Sequence, residues 1–262
     1  EIFAGYRRYR FQAAEERVRA ILPAEWRRRV FGAVGAAYPK ADWAPRPLRA
    51  KTTLLSLAMD GGEGYARAVG VTDPALRRRL FTGAARRALG GHRAEDRYVA
   101  AMAAAPARDA IDRAQYADIK IWLPGDILAK TDRTSMAVSL EAREPLLDHR
   151  LVSFAASLPA SLRLRRGEGK WLMKKAMERY LPKQVLYRPK MGFVTPVSAW
   201  FRGPLAGEAA ALARSRTLAD TGWFDLAALA DLAEAHRSGR AEHGRTLWQF
   251  VMLERSLRRL FG

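Results

Sequence analysis

KTDRTSMAVSLEAREPLLD, residues 130–148, carries three cations, four acids and four hydroxyls, yet its apolar residues keep helical spacing. Just upstream, Leu123-Pro124-Gly125-Asp126 has the order of a turn followed by a helix N-cap. That order predicts a helix over 127–142, which Pro145 ends, and Asp148 then caps the next helix. On the predicted helix Asp126, Lys130, Arg133 and Thr134 share one face. A second stripe holds Asp132, Ser135, Ser139 and Arg143, while Ile127, Val138 and Ala142 point inward. Short hydroxyls between cations suit a polyanion or a carboxylate, because they donate hydrogen bonds without blocking approach. The same spacing also suits an internally salt-bridged helix, with Asp126 and Lys130 at i,i+4, and the pattern leaves both readings open.

Helical periodicity continues on both sides. Residues 9–22 place Phe11, Ala14, Val18 and Ile21 on one face, and Pro23 stops the helix. Residues 38–51 form a proline-punctuated connector. Further helices are predicted near 52–59, 74–89 and 95–104. The glycine-rich 60–64, which follows a helical pattern and not a strand, reads as a helix stop and turn. The chain turns tightly near LRLRRGEGK, and Lys170 to Tyr180 is helical with Leu172, Met173, Ala176 and Met177 inward. YRPKMGFVTP, residues 187–196, has Pro189, Gly192 and Pro196 and reads as an ordered loop. Beyond it the chain is helical, with Asp225 as a cap and Thr246 to Gln249 as a capping box. Almost no segment alternates with period two, so the chain is mainly α. It reads as one compact body with the proline-rich connector as its only candidate seam.

With 262 residues and no cysteine, the chain can bury a substantial core but has no disulfide or thiol chemistry. No run of about 18 apolar residues is present, so no membrane span is expected. The start EIFAGYRRYR lacks a signal-peptide pattern, and a cytoplasmic location is the simplest expectation. The formal charge of +19 admits nucleic acid, an anionic surface or a polyphosphate, or solvated arginine-rich faces. No helix-turn-helix, zinc-finger or RNA-recognition pattern accompanies it, so neither nucleic acid nor membrane is an expected partner. A basic helical module for polyanions stays open as an alternative. A serine nucleophile elbow, a zinc helix motif, a Walker loop and a Rossmann fingerprint are all missing.

Glu141 and Arg143 flank Ala142 just before the forced exit at Pro145, where side chains at a helix end commonly reach a cleft. A surface helix end with a neutralised pair is the alternative. Lys190 stands beside Gly192 in a loop pinned by two prolines, able to close over a phosphate or to stand in solvent.

Together, EIFAGYRRY (1–9), IWLPGDILAKTDRTSMAVSLEAREPLLDHRLV (121–152), GEGKWLMKKAMERYLP (167–182) and VLYRPKMGFVTPVSAWFRGPL (185–205) resemble the synthetase half of glutamine-hydrolysing asparagine synthetases. The resemblance is close over about residues 1–15 and 110–210 and looser elsewhere. It implies that residues 1–262 are the C-terminal, helical part of an α/β ATP-pyrophosphatase synthetase domain. The nucleotide-loop half and the N-terminal glutaminase domain are expected to be missing. It also implies ATP and Mg2+ as cofactors, aspartate or a related carboxylate as substrate, ammonia derived from glutamine, and a homodimer as the family's usual assembly. The aspartate carboxylate would be adenylated, and ammonia would then displace AMP. In this light Asp126, Lys130, Arg133 and Gly192 are cofactor-binding candidates, and Lys190, Glu141 and Arg143 are catalytic candidates; no metal ligands are assigned. A relative acting on another carboxylate, such as one linked to exopolysaccharide, is a further alternative. Glu1 matches the last acid of a Gly-Asp-Glu segment, so the chain alone is expected neither to bind ATP tightly nor to make amide.

Overall fold

The structure, a computed structural model, describes residues 2–38, 50–107, 109–189 and 195–261. The described residues are mainly helical, as the periodicity predicts, and their only sheet is a two-stranded hairpin. The chain divides into two compact units, one of residues 1–69 and 93–189, the other of residues 70–92 and 190–262. One body was expected. The divisions fall after Val69, His92 and Pro189, away from the proline-rich connector, whose residues 39–49 lie outside the described residues. Helical periodicity marks which face is buried but carries no information about which helix covers it.

In the first unit, Tyr9, Tyr65, Met102, Ile111, Ala114 and Ala117 form the main core. It is built from the helices Arg7–Ile21, Gly61–Val69, Glu95–Ala103 and Ala110–Ala117. The apolar face of the first helix is not its buried one. Phe11 and Ile21 are exposed, whereas Tyr9 and Gln12 point inward. A polar face goes inside when every group on it finds a partner. The Tyr9 hydroxyl donates to Asp118 at 2.5 Å, and Gln12 Nε2 donates to the Gly61 carbonyl at 3.4 Å.

The 60–64 stretch also differs from its reading. The chain breaks between Leu57 and Gly61, but the glycines then lie inside the helix Gly61–Val69. Their role is close approach. A Cβ on Gly64 would meet both Arg19 Nη2 and Ser56 Oγ at 2.6 Å, and one on Gly61 would meet the Glu16 carboxylate. Two arginines fasten the end of the preceding helix Lys51–Leu57. Arg19 donates to the carbonyls of Ser56 (2.8 Å) and Met59 (3.1 Å), and Arg27 to those of Leu57 (2.8 Å) and Met59 (2.9 Å). Cations at a helix C-terminus satisfy orphan carbonyls and oppose the negative dipole end.

Leu164–Arg165 and Glu168–Gly169 pair antiparallel around Arg166 and Gly167, both with positive φ, confirming the tight turn. Two left-handed residues at the tip match the twist of the strands. The helix Trp171–Met177 follows, shorter than expected, with Ala176 exposed and Leu172, Met173 and Met177 half-buried.

The second unit packs Leu80, Phe201, Leu212, Leu218, Leu229, Leu232, Leu247 and Phe250 into one core. Residues 74–89 form two helices, Pro74–Leu80 and Gly83–Ala88, because Phe81 leaves the helix to bridge Phe224 and Thr82 caps the second. Asp225 caps Leu226–Arg237 through the Ala228 amide, as expected. The capping box does not form. Gly244–Phe261 starts two residues before Thr246, Glu242 takes the Gly244 amide at 3.1 Å, and Gln249 accepts from Thr72 instead.

Candidate functional site

The segment that carries the site candidates starts from one buried carboxylate. Asp118 is fully buried, and its Oδ2 accepts from Arg8 Nη2 (2.7 Å), Arg8 Nε (3.0 Å), the Tyr9 hydroxyl (2.5 Å) and the Tyr65 hydroxyl (2.7 Å). Burial, then the neighbouring charges of Tyr65 and Asp118, push the Tyr9 phenol far above its ordinary value. Burial and Asp118 do the same to Tyr65. For Arg8, burial works against the charge, but Tyr65, Asp118 and Tyr9 beside it hold the guanidinium above its usual value. Tyr98 is pushed up to about 12, chiefly by burial and then by Asp118. Sequence reasoning missed this cluster. Its signal was a lone acid in the apolar run YADIKIWLP, which must find partners if it is buried.

Asp118 opens a π-helical stretch, Asp118–Leu128, that runs into the α-helix Ala129–Met136. The expected turn at Leu123-Pro124-Gly125-Asp126 is therefore absent, and Asp126 is not an N-cap. In an α-helix a proline ring collides with the carbonyl four residues back; the wider five-residue winding carries Pro124 instead.

The helix also ends earlier than expected, at Met136 and not at 142. Ser139 adopts φ 59°, its amide bonds the Met136 carbonyl at 3.0 Å, and the Leu140 amide bonds the Ser135 carbonyl at 3.0 Å. This is a Schellman closure with serine in the place usually held by glycine. Glu141 and Arg143 consequently lie in the irregular segment beyond the helix, not on its last turn. They are exposed and pair with each other, Arg143 Nη2 to Glu141 Oε1 at 2.9 Å. Asp126 and Lys130 also pair, at 3.5 Å, and both are substantially exposed. Arg133 is exposed on the same helix.

The hydroxyls turn inward on their own helix. Thr134 Oγ1 donates to the Lys130 carbonyl at 2.7 Å and Ser135 Oγ to the Asp132 carbonyl at 3.1 Å. Because the chain doubles back after Ser139, Ala142 and Glu144 come to face Leu128, Thr131 and Asp132 across a cavity of 350 Å3. Asp148 caps the helix His149–Ser157 through the Arg150 amide at 2.9 Å, as expected.

Lys190 and Gly192 lie outside the described residues. Just before them in the chain, Tyr187 donates to Glu178 at 2.5 Å, and Lys174 lies 5.0 Å from the Tyr187 ring centroid.

Among the described residues no group of three or more His, Asp or Glu is gathered to hold a metal. The described cations Lys130 and Arg133 suit the anionic part of a nucleotide but do not form a backbone cradle for it. No described helix is long and apolar enough to cross a membrane.

The asparagine synthase family model matches residues 1–258. A provisionally named glutamine-hydrolysing asparagine synthetase of Mycobacterium bovis is 38% identical over 145 residues, 55% of this chain and 22% of that protein. Glutamine-hydrolysing asparagine synthetase 1 of Bacillus subtilis is 34% identical over 143 residues, 54% of this chain and 22% of its own length. The Gallus gallus glutamine-hydrolysing asparagine synthetase is 42% identical over 83 residues, 29% of this chain and 15% of its own. The matched part thus spans about a fifth of the bacterial relatives. No solved structure matches.

Proposed function

Since the chain belongs to the asparagine synthase family, we propose that it is the C-terminal part of the synthetase domain of an ATP-dependent amidotransferase. The observation that carries this reading is the family match over residues 1–258, nearly the whole chain. The complete domain has the α/β ATP-pyrophosphatase fold, and a glutaminase domain supplies ammonia from glutamine. A free carboxylate is a poor acyl donor, so ATP turns the aspartate side chain into β-aspartyl-AMP, and ammonia displaces AMP to give asparagine.

In this scheme Lys190 neutralises the departing pyrophosphate, and Gly192 is part of the cofactor site. Lys130 and Arg133 face the nucleotide phosphates, and Asp126 orients Lys130, which its 3.5 Å contact supports. Glu141 and Arg143 stand beside the substrate carboxylate. Their exposure leaves both groups accessible, and a bound amino acid would exchange their mutual contact for its own ammonium and carboxylate.

The test is aspartate-dependent pyrophosphate release from ATP by the intact parent protein, with glutamine hydrolysis followed in parallel. Lys190→Ala is expected to slow pyrophosphate release by about a hundredfold or more, with glutamine hydrolysis unchanged. Equal loss of both activities, or loss of neither, overturns the assignment. Robust pyrophosphate release by the 262-residue chain alone would show that it is not an incomplete domain.

A further inference from the structure

Away from the Asp126–Glu144 segment, the helices Arg7–Ile21, Lys51–Leu57 and Gly61–Val69 line an open cavity of 410 Å3 that the proposed reaction does not use. Its size falls in the range of small-molecule sites. Part of its wall is fixed before any ligand arrives. Tyr65 is held by Asp118, and Ser56 donates to Glu15 at 2.6 Å. Gly64 lies against Arg19 and Ser56 with no room for a side chain. Of the lining residues, Gln12, Ser56, Gly64 and Tyr65 are buried.

The charges around the cavity are unequal. Arg7, Arg8 and Arg67 line it, and among the described residues Glu15 is the only carboxylate in its lining. Glu15 is already engaged by Arg19 at 2.9 Å and by Ser56. Arg8 directs Nε and Nη2 to Asp118 and Tyr65, and Arg7 stands 5.5 Å from the Phe11 ring centroid. A guanidinium over a ring keeps its in-plane N–H groups free to bind an anion. Phe11, Tyr65 and Ala68 add apolar surface to the wall beside these cations.

We propose that this cavity is a binding site for a small anion with an apolar, planar body, of the size of an aryl phosphate or aryl carboxylate. The anionic group sits among Arg7, Arg8 and Arg67, and the ring lies against Phe11 and Tyr65. Neither the substrate carboxylate nor the nucleotide phosphates of the proposed reaction are assigned here, so the site stands whether or not that reaction is correct.

Phenyl phosphate is the probe, titrated calorimetrically into the full chain, with inorganic phosphate titrated separately. Saturable 1:1 binding of phenyl phosphate is expected, about tenfold or more tighter than inorganic phosphate. Arg67→Gln should weaken it by about tenfold, since Arg67 contributes charge and not packing. Ala68→Trp, which fills the cavity from its exposed rim, should abolish binding while the thermal midpoint stays near that of the parent. Arg214→Gln, in the other unit, should leave binding unchanged. Absence of saturable binding overturns the proposal. So does equal affinity for inorganic phosphate, or binding that is insensitive to both Arg67→Gln and Ala68→Trp.

Discussion

Arg8 and Asp118, 110 positions apart, meet at 2.7 Å with the carboxylate fully buried. Asp118 also collects two tyrosine hydroxyls on the same oxygen, so one carboxylate joins the first helix, the Gly61–Val69 helix and the start of the π-helical stretch. Removing the cation leaves a buried charge without its counterion. Arg8→Met should cost about 3–5 kcal/mol, read by urea denaturation. Tyr9→Phe removes only one of four donated bonds and should cost about 1–2 kcal/mol. A cost for Arg8→Met no larger than that for Tyr9→Phe would mean that the ion pair is not what holds this junction.

The same cluster makes the fold sensitive to alkali. The Tyr9 and Tyr65 phenols titrate higher in the folded protein than in the unfolded chain. A group with a raised folded value gives its full stabilisation below the unfolded value and loses it as pH climbs towards the folded one. Stability should therefore fall from about pH 10 upwards, with a limiting slope near 2.7 kcal/mol per pH unit for two protons. Tyr9→Phe with Tyr65→Phe should flatten that fall. An unchanged slope in the double variant would place the alkaline sensitivity elsewhere.

Ser139 closes the helix before the site segment in a left-handed conformation that costs a side-chain-bearing residue about 1 kcal/mol. Ser139→Gly should raise stability by roughly that amount, measured by thermal or urea unfolding. A destabilisation would show that the serine side chain makes a compensating bond.

Two glycines predict opposite outcomes. Gly64→Ala forces a Cβ against Arg19 and Ser56 at 2.6 Å and should cost about 1–3 kcal/mol. Gly125 has open space around its missing Cβ within the π-helical stretch. There, Gly125→Ala should stabilise by about 0.5–1 kcal/mol. Equal effects at the two positions would contradict the close approach of the Gly61–Val69 helix.

Glu141 and Arg143 form an exposed pair, and such pairs add little to folding. Glu141→Gln should leave the thermal midpoint of the protein unchanged while lowering amide formation by the intact parent. Full activity in that variant would remove Glu141 from the proposed chemistry.

What the sequence determined by itself was local or motif-borne. Helical spacing foretold a mainly helical chain, and Asp148 and Asp225 were legible as caps because a cap bonds amides two or three residues away. The family was legible in four ordered segments, and its model matches residues 1–258. What only the tertiary structure decided was whatever depends on distant partners. The buried face of Arg7–Ile21 is polar because Asp118 and Gly61, far along the chain, satisfy it. Glycines 61, 62 and 64 became a packing surface and not a turn because other helices approach their backbones. The winding through Pro124 and the early stop at Ser139 set where Glu141 and Arg143 stand, and neither is encoded in apolar spacing. Burial and hydrogen-bond satisfaction are properties of pairs, and a sequence read one window at a time shows only one member of each pair.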